Sequence, residues 1–263
     1  MTSFHGCTAL ITGASSGIGR EIALQLAPQA AALILVARRL DRLEELRRSL
    51  VRPGLEIHCH AVDVADDTQI ETLLELIHGS GLRVDFLVNN AGLGDHGFFE
   101  ESDWKRVQAM IDVNISALTR LTHAILPQLI RSGRGAILNV SSIASYLPLP
   151  KMAVYAATKA YVTSFSEAIR GELRGTGVSV TALCPGPVDT EFFTLAERPN
   201  ATEDAPSPEL FKVPVEQVAS EALDAVLRDR PRIIPGWIPW AVMTFVSLLP
   251  FFLIRVFVAQ RRK

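Results

Sequence analysis

The stretch TGASSGIG at residues 12–19 constrains this chain more than any other. A short apolar run, residues 7–12, leads into it. A helical pattern leads out, with Ile18, Ile22 and Leu26 on one face. Glycines at a strand-to-helix junction allow a tight turn, a close approach of pyrophosphate to the main chain, and close packing of helix on sheet. The free N–H groups at a helix start then meet phosphate oxygens. The spacing is G-x-x-x-G-x-G rather than the commoner G-x-G-x-x-G. In this strand–turn–helix setting it predicts a dinucleotide site at Gly13, Ser15, Ser16, Gly17, Ile18 and Gly19.

The rest of the chain alternates apolar runs with helical patterns, as βαβ units around a parallel sheet do. Strands are predicted over 7–12, 32–37, 56–62, 84–89, 135–141 and 178–183. Helices are predicted over 17–26, 40–50, 68–78, 151–174 and 215–227, with one or two long ones across 103–130. Residues 32–37 are apolar on both faces, as a central parallel strand is. Residues 192–213 hold Pro199, Pro206 and Pro208 among polar neighbours and read as a mobile excursion. With 263 residues, 48% hydrophobic and 21% charged, the chain suits one large α/β domain or two small ones and excludes a disordered one.

Three cysteines, Cys7, Cys59 and Cys184, are too few for a disulfide scaffold, odd in number and without a C-x-x-C pair. Free thiols in a reducing compartment are expected. His58 and His60 share a strand face, but two ligands do not make a metal site, and none is expected. A net charge of −2 argues against nucleic acid. Residues 1–6 are too short for a signal peptide, so the body is expected in the cytoplasm.

Tyr155 and Lys159, four apart in a helical pattern, project from one face. A neighbouring ammonium favours phenolate, and a tyrosine of ordinary pKa, about 10, needs such help to exchange protons near neutrality. Arg38 and Arg39 follow the second strand, where an acid would hold a ribose 2′-hydroxyl. Two arginines there can instead bind a 2′-phosphate; the plainer reading is a solvated basic pair.

TGASSGIG, the NNAG at 89–92, a serine thirteen residues before YAATK (155–159), and PGPVDT (185–190) follow one another in this order. Together they resemble the short-chain dehydrogenase/reductase family, over about residues 5–235. The resemblance implies a Rossmann-type, doubly wound α/β fold: a seven-stranded parallel sheet in the order 3-2-1-4-5-6-7 with helices on both faces. It also implies a nicotinamide cofactor, NADP(H) given Arg38 and Arg39, and carbonyl–alcohol interconversion.

By the same resemblance Tyr155 is the general acid/base, Ser142 orients the substrate oxygen and Lys159 also binds the nicotinamide ribose. Asn114 matches a fourth catalytic position, which holds a water joining the lysine to solvent. Asp63 and Val64 fall at the adenine, and Asn90, Ala91 and Gly92 along the adenosine. Pro185, Gly186, Val188 and Thr190 fall at the nicotinamide. Structural readings stand beside these: a buried helix asparagine for Asn114, an Asn-Gly turn for NNAG, a plain loop for 185–190. The side chain of Ser141 is expected to point away from that of Ser142. A homodimer or homotetramer through the two long helices is also implied.

The loops that build the family's substrate pocket supply Leu93, Phe98, Phe99, Ile143, Leu147, Leu149, Met152, Phe192 and Phe193. These suit a hydrophobic carbonyl or alcohol, fatty-acyl, steroid-like or another lipid, and 192–213 is placed to close over it. The expected catalytic domain is 1–235, with an apolar helical tail at 236–263. Residues 233–254 carry no charge, Trp237 and Trp240 stand near their start, and Arg232, Arg255, Arg261, Arg262 and Lys263 give this end +5 against −7 for the first 230 residues. Such a tail can lie in a membrane interface on the cytoplasmic face, pack over the substrate mouth or between subunits, or span a bilayer. A span would part residues 261–263 from the body, against the usual cationic bias. The rival functional class is a nucleotide-sensing protein without turnover.

Overall fold

The computed structural model describes residues 1–198, 209–250, 252 and 254. Apolar runs that are buried on both faces make the middle of its sheet: β1 (Thr8–Thr12), β2 (Ala32–Ala37), β4 (Phe86–Asn89), β5 (Gly135–Val140) and β6 (Val178–Leu183). The edges are weaker. β3 (Glu56–Ala61) is partly exposed throughout, and β7 is only Arg232–Ile233. All seven pair in parallel in the order β3-β2-β1-β4-β5-β6-β7. Alternation along each strand feeds two cores. Ile11, Leu33 and Leu35 face α1 (Gly17–Leu26), α2 (Leu40–Ser49) and α8 (Val215–Leu227). Leu10, Ile34 and Val36 face α3 (Asp67–Gly79), α5 (Leu118–Ser132) and α6 (Ala153–Glu172).

β1 pairs with β2 on one side and β4 on the other, so their following connections leave in opposite directions. The crevice at their carboxyl ends is where open α/β sheets place ligands.

Several boundaries differ from those expected. The helical pattern over 103–130 is α4 (Trp104–Ile111), a π turn at Asp112–Ala117, and α5. The apolar period continues through the break, which hides it from the sequence. β5 stops at Val140, although the Ser141 N–H still donates to the Leu183 carbonyl at 2.7 Å. Residues 192–213 open with the short α7 (Glu191–Ala196) and close with a 3₁₀ turn at Glu209–Phe211; residues 199–208, the centre of the expected excursion, lie outside the described residues.

The near part of the tail is α9 (Trp237–Leu248). Pro250 falls after its end. Twelve residues reach about 18 Å, short of the roughly 30 Å of a bilayer core. Among the described residues no helix is long and apolar enough to cross a membrane. Met243 is buried on the protein, whereas Trp237, Trp240, Phe245 and Leu248 are exposed. The basic end, 255–263, lies outside the described residues.

Four polar side chains link the middle of the sheet to α5 and α6. The Asn89 amide donates to Thr122 Oγ1 and to Asn139 Oδ1, both at 2.9 Å, and Asn139 Nδ2 donates to Ser166 Oγ at 2.9 Å. All are buried, so each group depends on the next. Asn139→Leu keeps the volume but removes a donor and an acceptor. It is expected to cost about 2–3 kcal/mol, read as a lower urea midpoint at unchanged slope.

Candidate active site

Two glycines of the turn have left-handed backbone, Gly13 at φ +67° and Gly17 at φ +55°. Close approach matters as much. A Cβ on Gly13 would lie 2.7 Å from Asn90 Nδ2, and one on Gly19 would collide with that atom and lie 2.7 Å from the Gly13 carbonyl oxygen. The space serves a cross-tie between the ends of β1 and β4. Asn90 Nδ2 donates to the carbonyls of Thr12 (2.9 Å) and Gly13 (3.2 Å). Thr12 Oγ1 accepts the N–H groups of Asn90 and Ala91, both at 3.0 Å. NNAG therefore has the structural role, while Asn90, Ala91 and Gly92 also line the crevice.

A single cavity of about 500 Å³ runs from this turn to α6. At one end stand Ser15, Ser16, Arg38 and Arg39, with Asp63 and Val64 beside them. Asp63 Oδ1 accepts the Ala65 N–H at 3.0 Å, which fixes that turn. Arg39 lies 3.4 Å from both serine hydroxyls and pairs with Glu191 at 3.0 Å. At the other end stand Ser142, Tyr155 and Lys159, with Pro185, Gly186, Val188 and Thr190 between. A Cβ on Gly17 would touch the Thr190 methyl at 3.2 Å, and one on Gly186 would lie 2.8 Å from the Phe211 carbonyl oxygen.

α6 holds Tyr155 and Lys159 one turn apart, both buried. Burial pushes the phenol up to about 12, and a hydrogen bond with Ser142 pulls against it. Burial lowers the Lys159 ammonium from 10.5 to about 8. The lysine was expected to favour phenolate. Here its Nζ donates to the Val140 carbonyl at 2.9 Å and sits 5.8 Å from the Tyr155 ring centre, and desolvation prevails. Ser141 turns the other way from Ser142, donating to the Lys159 carbonyl at 2.8 Å and meeting Thr163 Oγ1 at 2.7 Å.

Asn114 sits in the π turn, buried. Its Oδ1 accepts the Leu93 N–H at 2.8 Å; its Nδ2 donates to the Leu93 carbonyl at 2.9 Å and to Thr158 Oγ1 at 3.0 Å. A Cβ on Gly92 would lie 3.4 Å from Lys159 Nζ and 3.5 Å from Asn114 Oδ1, so the three meet at one corner.

Leu93, Ile143, Leu147, Leu149, Met152 and Phe192 line the cavity. Phe98 and Phe99 do not, contrary to expectation. Phe99 is exposed, and the Phe98 ring lies under Lys151 Nζ, 5.1 Å away. The Phe193 side chain lies outside the described residues. Sequence reasoning missed Leu195, Phe211, Val242, Met243 and Val246, which close the cavity from α7, the 209–211 turn and α9. It also missed Arg42 and Glu191. Nothing local marks these, because the contacts join segments distant in sequence. Among the described residues no cluster of three metal-ligating side chains occurs, and the three cysteines are free.

Residues 7–200 match the model of a protein family described as short chain dehydrogenase. A sulfoacetaldehyde reductase of Chromohalobacter salexigens is 43% identical over 187 residues, covering 69% of this chain and 72% of that protein. A short-chain dehydrogenase from Sphingobium yanoikuyae, solved in complex with NADPH, is 30% identical with a TM-score of 0.78, over 93% of this chain and 96% of that one. A short chain dehydrogenase/reductase from Burkholderia phymatum, solved in complex with NAD, is 26% identical with a TM-score of 0.83, over 100% and 99%.

The lysine allows a thermodynamic test. With its folded pKa near 8 against 10.5 when unfolded, Lys159 costs the folded state about 3 kcal/mol below pH 8. Between pH 8 and 10.5 the unfolded chain binds more protons, so this cost fades as pH rises, and above 10.5 it is gone. Lys159→Met escapes the cost but forfeits the bond to Val140, worth about 1 kcal/mol. The variant is expected to exceed the parent by about 2 kcal/mol in urea unfolding at pH 7, with the gap shrinking above pH 8 and reversing to about 1 kcal/mol in the parent's favour above pH 10.5. A gap that stays constant with pH would show that Lys159 is not a buried cation.

Proposed function

The chain belongs to the short-chain dehydrogenase family, and on that premise we propose that it is an NADP(H)-dependent oxidoreductase interconverting a carbonyl and a secondary alcohol on a hydrophobic substrate. The observation that carries this is one cavity with Ser142, Tyr155 and Lys159 at one end and the glycine turn with Arg38 and Arg39 at the other. The residues fit a dinucleotide. Main chain stripped of Cβ atoms faces the crevice at Gly13 and Gly17, and the cavity passes Asp63, Val64 and Asn90–Gly92 on its way to Tyr155. Gly19 and Ile18 complete the turn that would hold a pyrophosphate. Arg38 and Arg39 would hold a 2′-phosphate, and Pro185, Gly186, Val188 and Thr190 would border the nicotinamide.

When bound, the nicotinamide supplies or takes up the hydride. The protein handles the proton. Burial keeps the Tyr155 phenol protonated at neutral pH, so it is ready to protonate the oxygen of a carbonyl under reduction. Ser142 already hydrogen-bonds that phenol and orients the same oxygen. Lys159, a cation below about pH 8, would hold the nicotinamide ribose and favour the phenolate left behind. Asn114, linked to Thr158, completes the set behind the lysine.

The walls support the substrate class. Leu149, Met152, Phe192, Met243 and Val246 are apolar, and among the described residues at the Tyr155 end no arginine offers a clamp for a small anion. The Sphingobium structure with NADPH supports a phosphorylated cofactor, and the Burkholderia structure with NAD marks the alternative. Residues 1–235 are read as the catalytic domain, with 192–213 as its lid: α7 brings Phe192 to 5.6 Å from the Tyr155 ring. The exposed Trp237, Trp240, Phe245 and Leu248 support a peripheral contact with the cytoplasmic membrane face. Assembly as a homodimer or homotetramer would use α5 and α6.

The test is oxidation of NADPH and NADH by the purified protein against ketones and 3-oxoacyl thioesters of increasing chain length. NADPH-linked turnover that improves with length is expected. Tyr155→Phe is expected to lower kcat by about 10²–10⁴-fold while NADPH binding persists. Cofactor binding without turnover of any carbonyl by the unaltered protein would favour the nucleotide-sensing reading.

A further inference from the structure

The cradle assigned to the 2′-phosphate is already in use. Glu191 Oε2 accepts from both terminal nitrogens of Arg39, at 3.0 and 3.1 Å, and Oε1 accepts from Arg42. The same Arg39 nitrogen lies 3.4 Å from the hydroxyls of Ser15 and Ser16. Two guanidinium groups on one carboxylate, with two hydroxyls beside the Arg39 that holds it, offer the donors that a phosphate monoester takes. The anion comes from across the crevice, from the first residue of α7, the element whose next residue, Phe192, stands over Tyr155. The two arginines hold Glu191 below the usual carboxylate range, so it is charged at neutral pH.

The bridge is built to exchange. The side chains of Arg39, Arg42 and Glu191 are 39, 39 and 43% exposed. Pairs this open to water are held only weakly. A phosphate dianion with two arginines prevails over a carboxylate held that loosely.

We propose that Glu191 is an internal competitor of the 2′-phosphate for Arg39 and Arg42. The competition makes Arg42 a phosphate ligand alongside Arg39. It makes Glu191 a determinant of the choice between phosphorylated and unphosphorylated cofactor. It also couples arrival of the phosphate to release of α7 from the cofactor side of the cleft. The proposal rests on the 2′-phosphate reading above.

Binding of two half-cofactors that never reach the nicotinamide end, 2′,5′-ADP and 5′-AMP, tests it by calorimetry on the full chain. Glu191→Gln is expected to tighten 2′,5′-ADP by about 3–10-fold and to leave 5′-AMP within about twofold. Arg42→Gln is expected to weaken 2′,5′-ADP alone. In the unaltered protein, amide hydrogen exchange across 191–196 is expected to rise with 2′,5′-ADP and not with 5′-AMP. Preference for 2′,5′-ADP with no tightening in Glu191→Gln, or no change in exchange, would overturn the competition and leave the cofactor reading intact. Preference of the unaltered protein for 5′-AMP, weakened in Glu191→Gln, would overturn both and make Glu191 the acceptor for a ribose hydroxyl.

Discussion

The tie between Asn90 and the end of β1 is the contact on which the site depends. β1 and β4 are neighbours whose chains leave the sheet in opposite directions, and unaided their loops would splay. One amide donating to the carbonyls of Thr12 and Gly13, and one hydroxyl accepting two N–H groups, join them. Gly13 and Gly19 are glycine partly so that this amide can reach its acceptors. The opening of the crevice and the bare main chain along it follow from the same contact. A larger residue at either position would push the two loops apart before it met any ligand.

The far end of the cavity has the opposite character. There the polar groups are held by burial rather than by a turn. Lys159 is buried with its ammonium on the Val140 carbonyl, and its own carbonyl takes the Ser141 hydroxyl. β5 and α6 are thereby fastened at the level of Tyr155. The cost of the buried charge is met inside a framework already held by the Asn89–Asn139 amides one layer below. Desolvation drives Tyr155 and Lys159 apart in pKa, the phenol up to about 12 and the ammonium down to about 8, so as pH rises the lysine gives up its proton first.

What could be read from the sequence follows from how local each signal is. Five of the seven strands are apolar on both faces and announce themselves, and β3, partly exposed, was also legible between its flanking helices, whereas β7, two residues long, has no pattern to show. The π turn at Asp112–Ala117 inserts its irregularity without breaking the run of apolar side chains, so α4 and α5 look continuous. The glycine turn and the Tyr155–Lys159 spacing are contained within eight residues or fewer and were legible. The Arg42–Glu191 bridge joins positions 149 residues apart, and no local pattern encodes it. Phe98 and Phe99 mislead for a related reason. Apolar content in a loop says nothing of direction, and the 95–98 loop is turned by Arg198, which bridges Asp95 and the Phe98 carbonyl.

This division of labour bears on what similarity can tell. The family match ends at residue 200, and it contains the glycine turn, Ser142, Tyr155 and Lys159. Phe211, Val242, Met243 and Val246 close the cavity from beyond that limit. Likeness to a sulfoacetaldehyde reductase over 187 residues therefore weighs most on the shared machinery and least on the walls that meet a substrate. A sulfonate needs cationic partners, and among the described residues those lining the cavity are Lys159, committed to the Val140 carbonyl, and the arginines at the opposite end. α9 adds apolar side chains to the cavity from one face and shows aromatic ones to solvent on the other. A helix apolar on both sides beside this cavity is what the proposed hydrophobic substrate, one that partitions out of water before it reaches Tyr155, would require.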